Sequence, residues 1–110
     1  GTGKPRREFL CSDDLADACV FLMKHYSDLP FLNVGTGEDV TIAEFASAVA
    51  RVVGYNGKIA FDTARPDGPP QKLLDVSKIK RLGWSPKIGL HEGLAGAYAD
   101  FLAGSSRLAD

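Results

Sequence analysis

The chain has 110 residues, 45% hydrophobic and 25% charged, which is enough for one domain with a core and too few for two. Thirteen Lys and Arg against fourteen Asp and Glu leave a net charge of -1, so no global field draws the chain to nucleic acid or an anionic membrane. No apolar run approaches the roughly 20 residues of a membrane span, no signal peptide is visible, and two cysteines cannot build a secreted disulfide framework. Cys11 and Cys19 fall about 12 Å apart along one helix axis, too far to bridge, and a reduced, cytoplasmic setting is expected.

Gly1 to Pro5 is turn material, and Arg6 to Leu10 reads as a short extended segment. A natural domain can start in this uncapped way, and a piece of a longer chain would look the same. In an extended segment successive side chains face opposite ways, so Arg6 and Glu8 share a side and can screen each other, while Arg7 points to the other. A lone guanidinium there needs an anion, either a ligand phosphate that its planar fork suits or a carboxylate elsewhere in the fold.

Asp13 or Asp14 can cap a helix running to about His25. Leu15, Ala18, Cys19, Leu22 and Tyr26 form one apolar face, and Ala16, Val20 and Met23 crowd a second. Such broad coverage implies burial on more than one side. Phe31 to Val34 reads as a short strand ending at Gly35-Thr36-Gly37. That triplet lacks the third glycine of a dinucleotide loop. Thr41-Ile42-Ala43-Glu44 matches a capping box, and the helix behind it carries Ile42, Phe45, Ala46, Val49, Val52 and Val53 on one stripe, with Gly54 as its stop.

Lys58 to Asp62 reads as a second strand. It leads into Arg65-Pro66-Asp67-Gly68-Pro69-Pro70-Gln71-Lys72, a stiff loop with two cations and one carboxylate. Such a loop suits a ligand bearing a phosphate and a sugar hydroxyl, yet Pro-Asp-Gly is equally a strong turn signal. Asp75 is placed to cap a short helix with Val76, Ile79 and Leu82 inward and Gly83 closing it, and Trp84 reads as a packing residue. A last helix runs from about Leu90 to Leu102, and Gly104 to Asp110 should fray. Alternating helices and strands favour an α/β arrangement with few short parallel strands and about four helices.

No metal-ligand spacing is present, and His25 sits where it complements a helix C-terminus. Cys11 precedes two aspartates, an environment that does not activate a thiol. Neither residue reads as catalytic, and none of the three tyrosines starts a Tyr-x-x-x-Lys pair: Pro30, Ile59 and Leu102 stand four positions after Tyr26, Tyr55 and Tyr98.

Three segments together carry a family resemblance. Lys4-Pro5-Arg6-Arg7-Glu8-Phe9-Leu10 followed by Asp13-Asp14-Leu15-Ala16, then Asn33-Val34-Gly35-Thr36-Gly37, then Leu82-Gly83-Trp84, resemble the C-terminal region of extended short-chain dehydrogenases/reductases acting on nucleotide sugars. The run Pro66 to Val76 resembles more narrowly the GDP-L-fucose synthase family. The resemblance implies a small substrate-binding domain spanning 1–110, with an N-terminal Rossmann domain outside this chain. It implies an enzyme converting GDP-4-keto-6-deoxy-D-mannose to GDP-L-fucose by 3,5-epimerisation and NADPH-dependent 4-reduction.

Residue by residue, the resemblance implies that Arg7 contacts the GDP-sugar substrate at its diphosphate and Asp67 its nucleoside part. Lys72 matches a nearby basic position, and Arg65 stands where the family commonly has lysine. Cys11 replaces the family's usual histidine or aromatic residue. NADP and the Ser-Tyr-Lys set belong to the segment outside, so no catalytic, cofactor or metal residue is expected here. The chain alone is expected to be inactive, its parent enzyme a homodimer, and the fragment prone to self-association through apolar faces such as Val20, Phe21 and Met23. The same portion of another nucleotide-sugar epimerase or dehydratase, and a non-catalytic nucleotide- or protein-binding module, are the alternatives.

Overall fold

A computed structural model describes residues 1–104. Their element order is β1 (Arg6–Arg7), α1 (Ser12–His25), β2 (Val40–Thr41), α2 (Ile42–Val53), β3 (Gln71–Lys72), α3 (Ser77–Leu82) and α4 (Leu90–Ala103). The strands form one sheet in the order β2-β1-β3. β1 pairs in parallel with β3, placing Arg7 opposite Lys72, and antiparallel with β2, placing Arg7 opposite Val40.

The sheet is therefore mixed rather than parallel. The antiparallel register continues past β2 into the first turn of α2, where the amides of Ile42 and Ala43 donate to the carbonyls of Pro5 and Gly3, both at 2.9 Å. Those amides have no partner inside the helix, and the returning edge of the β1 segment satisfies them.

Neither expected strand forms a ladder. Residues 31–34 and 58–62 are irregular, and Phe31 is 91% exposed. Their β-favouring residues have no partner strand among the described residues, and a pleated surface without a partner is not a strand.

The helices follow their sequence signals more closely. In α2, Thr41 Oγ1 accepts from the Glu44 amide at 3.0 Å and Glu44 Oε2 accepts from the Thr41 amide at 2.7 Å. Gly54 ends the helix in the left-handed region at φ 75. α3 is preceded by Asp75, whose Oδ1 accepts from the Ser77 amide at 3.0 Å, and closed by Gly83 at φ 108. α4 ends at Gly104; the expected fraying lies, from residue 105 onward, outside the described residues.

The start of α1 departs from expectation. Its N-cap is Cys11 and no side chain caps it. Asp14 is instead buried and turned away, its carboxylate accepting from the backbone amides of Lys87 at 3.1 Å and Ile88 at 2.9 Å. The buried carboxylate is thereby satisfied by two backbone donors, whereas the uncapped end of α1 is left to water. Asp13 stays in the first turn, where its charge complements the helix dipole.

Ala18, Val76, Ile79 and Trp84 form the buried core of the described residues, with Leu10, Phe21, Leu22, Leu32 and Val34 packed partly against it. The Trp84 Nε1–H donates to Asp17 Oδ2 at 2.9 Å, so its polar edge is satisfied as burial of an indole requires. Of the expected α1 face, Ala18 and Leu22 turn inward, whereas Leu15 and Cys19 stay exposed. Leu82 is also exposed rather than inward. A second apolar contact joins α2 to α4, and Phe9 stacks on Phe45 with ring centroids 3.9 Å apart.

Candidate functional site

The central strand sorts its charges by face. Arg6 and Gln71 are register partners and share one side of the sheet. Both reach Asp39, just before β2: Arg6 Nε donates to Oδ1 at 2.8 Å and Gln71 Nε2 to Oδ2 at 2.5 Å. One carboxylate thus joins all three strands. The Gln71 amide first, and then the Arg6 guanidinium, hold Asp39 below the usual carboxylate range. Arg6 is therefore paired with Asp39, not screened by Glu8.

Arg7 and Lys72 are the next register pair and fall on the opposite side. Arg7 donates from Nη1 to the Arg6 carbonyl at 2.7 Å. Among the described residues, neither Arg7 nor Lys72 has a carboxylate within 4.0 Å. Gly68 lies beside the guanidinium, where a side-chain carbon would stand 3.8 Å from Arg7 Nη2. The parallel pairing of β1 with β3 thus brings two unpaired cations and the glycine of the Pro-Asp-Gly turn to one place. A cleft of about 390 Å³ opens on Arg7 but not on Lys72, and its walls carry both signs of charge, Lys80 and Lys87 with Glu38 and Asp39.

Asp67 and Arg65 are held elsewhere. Asp67 Oδ2 accepts from the Thr2 hydroxyl at 2.7 Å and Oδ1 from the Thr2 amide at 2.5 Å. In that order these two donors hold its carboxyl below the usual range, so it is an ionised acceptor. It borders a separate cleft of about 300 Å³ with Gly1, Gly3, Phe61 and Pro66. Two bonds leave a carboxylate with accepting capacity to spare. Arg65 pairs with Asp62 across 3.7 Å at the exposed surface, a contact worth little.

The Gly35-Thr36-Gly37 loop does hold an anion, but an internal one. Glu8 Oε2 accepts from the Gly37 amide at 2.6 Å and Oε1 from the Leu74 amide at 3.4 Å; the Thr36 hydroxyl stands 3.3 Å from Oε2 but has a shorter acceptor in the Glu38 carbonyl at 2.9 Å. Gly37 has φ +76, which only glycine adopts cheaply. The anchoring roles of Glu8, Asp39 and Thr2 were missed by reasoning from sequence. For Glu8 the signal was present: a glycine-rich turn of free amides asks for a carboxylate, and one stands beside Arg7.

No group of His, Cys, Asp and Glu among the described residues is arranged to hold a metal. His25 packs its ring on Phe21 at the end of α1, and Cys11 and Cys19 are free thiols. The arrangement can bind and orient an anion. None of the groups that meet at Arg7 pairs a nucleophile with a base.

The fold is shared with about a third of the chain in solved epimerases and reductases of the extended short-chain dehydrogenase/reductase class. Within that class the chain is similar in sequence to part of several GDP-L-fucose synthases, at 45–57% identity. It is 57% identical over 98 residues to the probable GDP-L-fucose synthase 1 of Oryza sativa subsp. japonica, covering 89% of this chain and 30% of that one. It is 54% identical to GDP-L-fucose synthase 1 of Arabidopsis thaliana, covering 93% and 32%. Among solved structures it matches MlghC, the GDP-mannoheptose C4 reductase from Campylobacter jejuni with NADP bound. There the TM-score is 0.82 at 41% identity, covering 93% of this chain and 33% of that one. The chain spans about a third of the length of the curated relatives it matches. No family model matches it.

Proposed function

We propose that residues 1–110 are the nucleotide-sugar-binding portion of a GDP-L-fucose synthase. In this reading Arg7 binds the diphosphate of a GDP-sugar, Lys72 adds charge beside it, and Asp67 accepts from the nucleoside. Arg65 is an outer basic residue of the same loop. The observation that carries the reading is the sheet face on which Arg7 and Lys72 stand together without a carboxylate partner among the described residues. An unpaired Arg fork at a cleft, with an unpaired ammonium as its register partner on the neighbouring strand, suits a diphosphate.

The activity belongs to the whole enzyme: 3,5-epimerisation of GDP-4-keto-6-deoxy-D-mannose, then reduction at C4 with hydride from NADPH. In this reading the cofactor and the proton-transferring residues belong to a segment outside these 110 residues. Here the chain supplies binding energy far from the reacting carbons, which such enzymes convert into placement. The parent is read as a cytoplasmic homodimer.

Titration calorimetry tests the reading. GDP should bind the chain more tightly than UDP, and Arg7→Ala should weaken GDP by about ten- to a hundredfold, the worth of a charge-assisted hydrogen bond. Arg7→Lys should recover only part of it, because the charge returns without the fork. Equal affinity for GDP and UDP, or an unchanged Arg7→Ala, would remove the assignment.

A further inference from the structure

The Glu8 carboxylate is not used by the binding reading, yet it joins more of the site's segments than any residue that is. It belongs to the same short segment as Arg7 and follows it directly. Its two oxygens reach the loop after residue 34 through the Gly37 amide, and the segment leaving β3 through the Leu74 amide. Gly35 closes against the same group: a side-chain carbon there would lie 2.7 Å from Oε2 and 2.8 Å from Oε1. The bond to Gly37 is short and charge-assisted, the kind that holds geometry rather than merely filling space.

β1 is only two residues long, so its ladder alone cannot fix the pitch of Arg7 over the 65–72 loop. The β1–β3 pairing is fixed just before Arg7 by the Arg6 amide, which donates to the Pro70 carbonyl at 2.8 Å. Glu8 fixes it just after, through Leu74. Arg7 is thus held from both sides in sequence.

We propose that Glu8 is a positioning residue for Arg7, locking the guanidinium in the register that meets the diphosphate; this rests on the binding role given to Arg7 above. The carboxylate makes no contact with the ligand. Its negative charge is spent on backbone donors, so it does not compete for the guanidinium.

Two variants act on the same contact from opposite sides. Glu8→Gln keeps the shape and removes the charge and half of the acceptors. Gly35→Ala pushes a methyl group into the carboxylate, at a position whose backbone accepts any residue. Each should weaken GDP by about tenfold while leaving guanosine, which lacks the diphosphate, unchanged. The double variant should cost no more than the worse single one, since both remove one clamp. Hydrogen exchange at the Gly37 and Leu74 amides should quicken in both. A general loss of structure would instead weaken GDP and guanosine alike, and that result overturns the proposal. Unchanged GDP affinity in Glu8→Gln, with wild-type binding intact, overturns it too. Failure of the wild-type chain to bind GDP at all removes the binding reading itself, and the inference with it.

Discussion

At the scale of single residues, carboxylates organise the site by holding backbone and cations in place. Asp39 joins β1 and β3 through Arg6 and Gln71, Glu8 closes the Gly35–Gly37 loop, Asp14 takes the Lys87 and Ile88 amides, and Asp67 takes Thr2. Asp39 gives a pH prediction with a definite sign. Its folded pKa lies below the ordinary value of about 3.9. Its contribution is therefore whole above that value and is lost as pH falls through the depressed folded value. Acid unfolding followed by circular dichroism should show wild type more stable than Asp39→Asn near neutrality, the gap narrowing below about pH 4. A gap that stays constant on acidification contradicts the role given to Asp39.

Little of this residue-level pairing was legible in sequence. The alternation argument separated Arg7 from Arg6 correctly, because it needs only local geometry. It failed for Arg6 and Glu8, whose partners, Asp39 and Gly37, arrive from far along the chain. Spacing cannot reveal a partner that only the sheet order brings near. Asp13 and Asp14 show the opposite error. A local preference for capping was overridden, for Asp14, by two loop amides more than seventy residues along the chain.

At the scale of elements, the helices were readable and the strands were not. Capping box, apolar stripe and glycine stop coincide in α2, and the structure uses all three. The strands are two residues each, shorter than any period-2 pattern, and their pairing comes from the helix starts and the 65–72 loop. Two substitutions test the helix account by denaturant unfolding. Thr41→Ala should cost about 1 kcal/mol through the lost cap. Gly96→Ala should gain roughly 0.5–1 kcal/mol, since it stands inside α4 with open space where its methyl would go. Both should move the midpoint with little change in slope. A destabilising Gly96→Ala would mean that α4 packs against something at that position.

At the scale of the whole molecule, the described residues bury little and spread widely. The radius of gyration is 16.7 Å, against about 13 Å for a compact domain of this length. The core is four apolar residues beneath α1 and α3, while Met23, Leu29 and Phe31 are 77%, 102% and 91% exposed. Val20 is exposed as expected from sequence, whereas Phe21 is half-buried against the core. Three large apolar side chains are thus exposed within nine residues at the end of α1 and the segment after it, where a partner surface could cover them. Sedimentation velocity should therefore find the 110-residue chain self-associating as concentration rises, and Met23→Glu with Phe31→Glu should reduce it. A chain that stays monomeric at high concentration would contradict this use of the surface. No helix among the described residues is long and apolar enough to cross a membrane.

The central claim is that the Arg7 face of the sheet binds the diphosphate of a guanosine nucleotide. Chemical-shift mapping during a GDP titration tests it most directly, with the Arg7 Nε–H resolved. The account predicts the largest shifts at the Arg7 Nε–H and at the amides of residues 66–72, with smaller ones at the Gly35–Gly37 loop. Shifts confined to α2, α4 or the end of α1, with Arg7 unmoved, would contradict it.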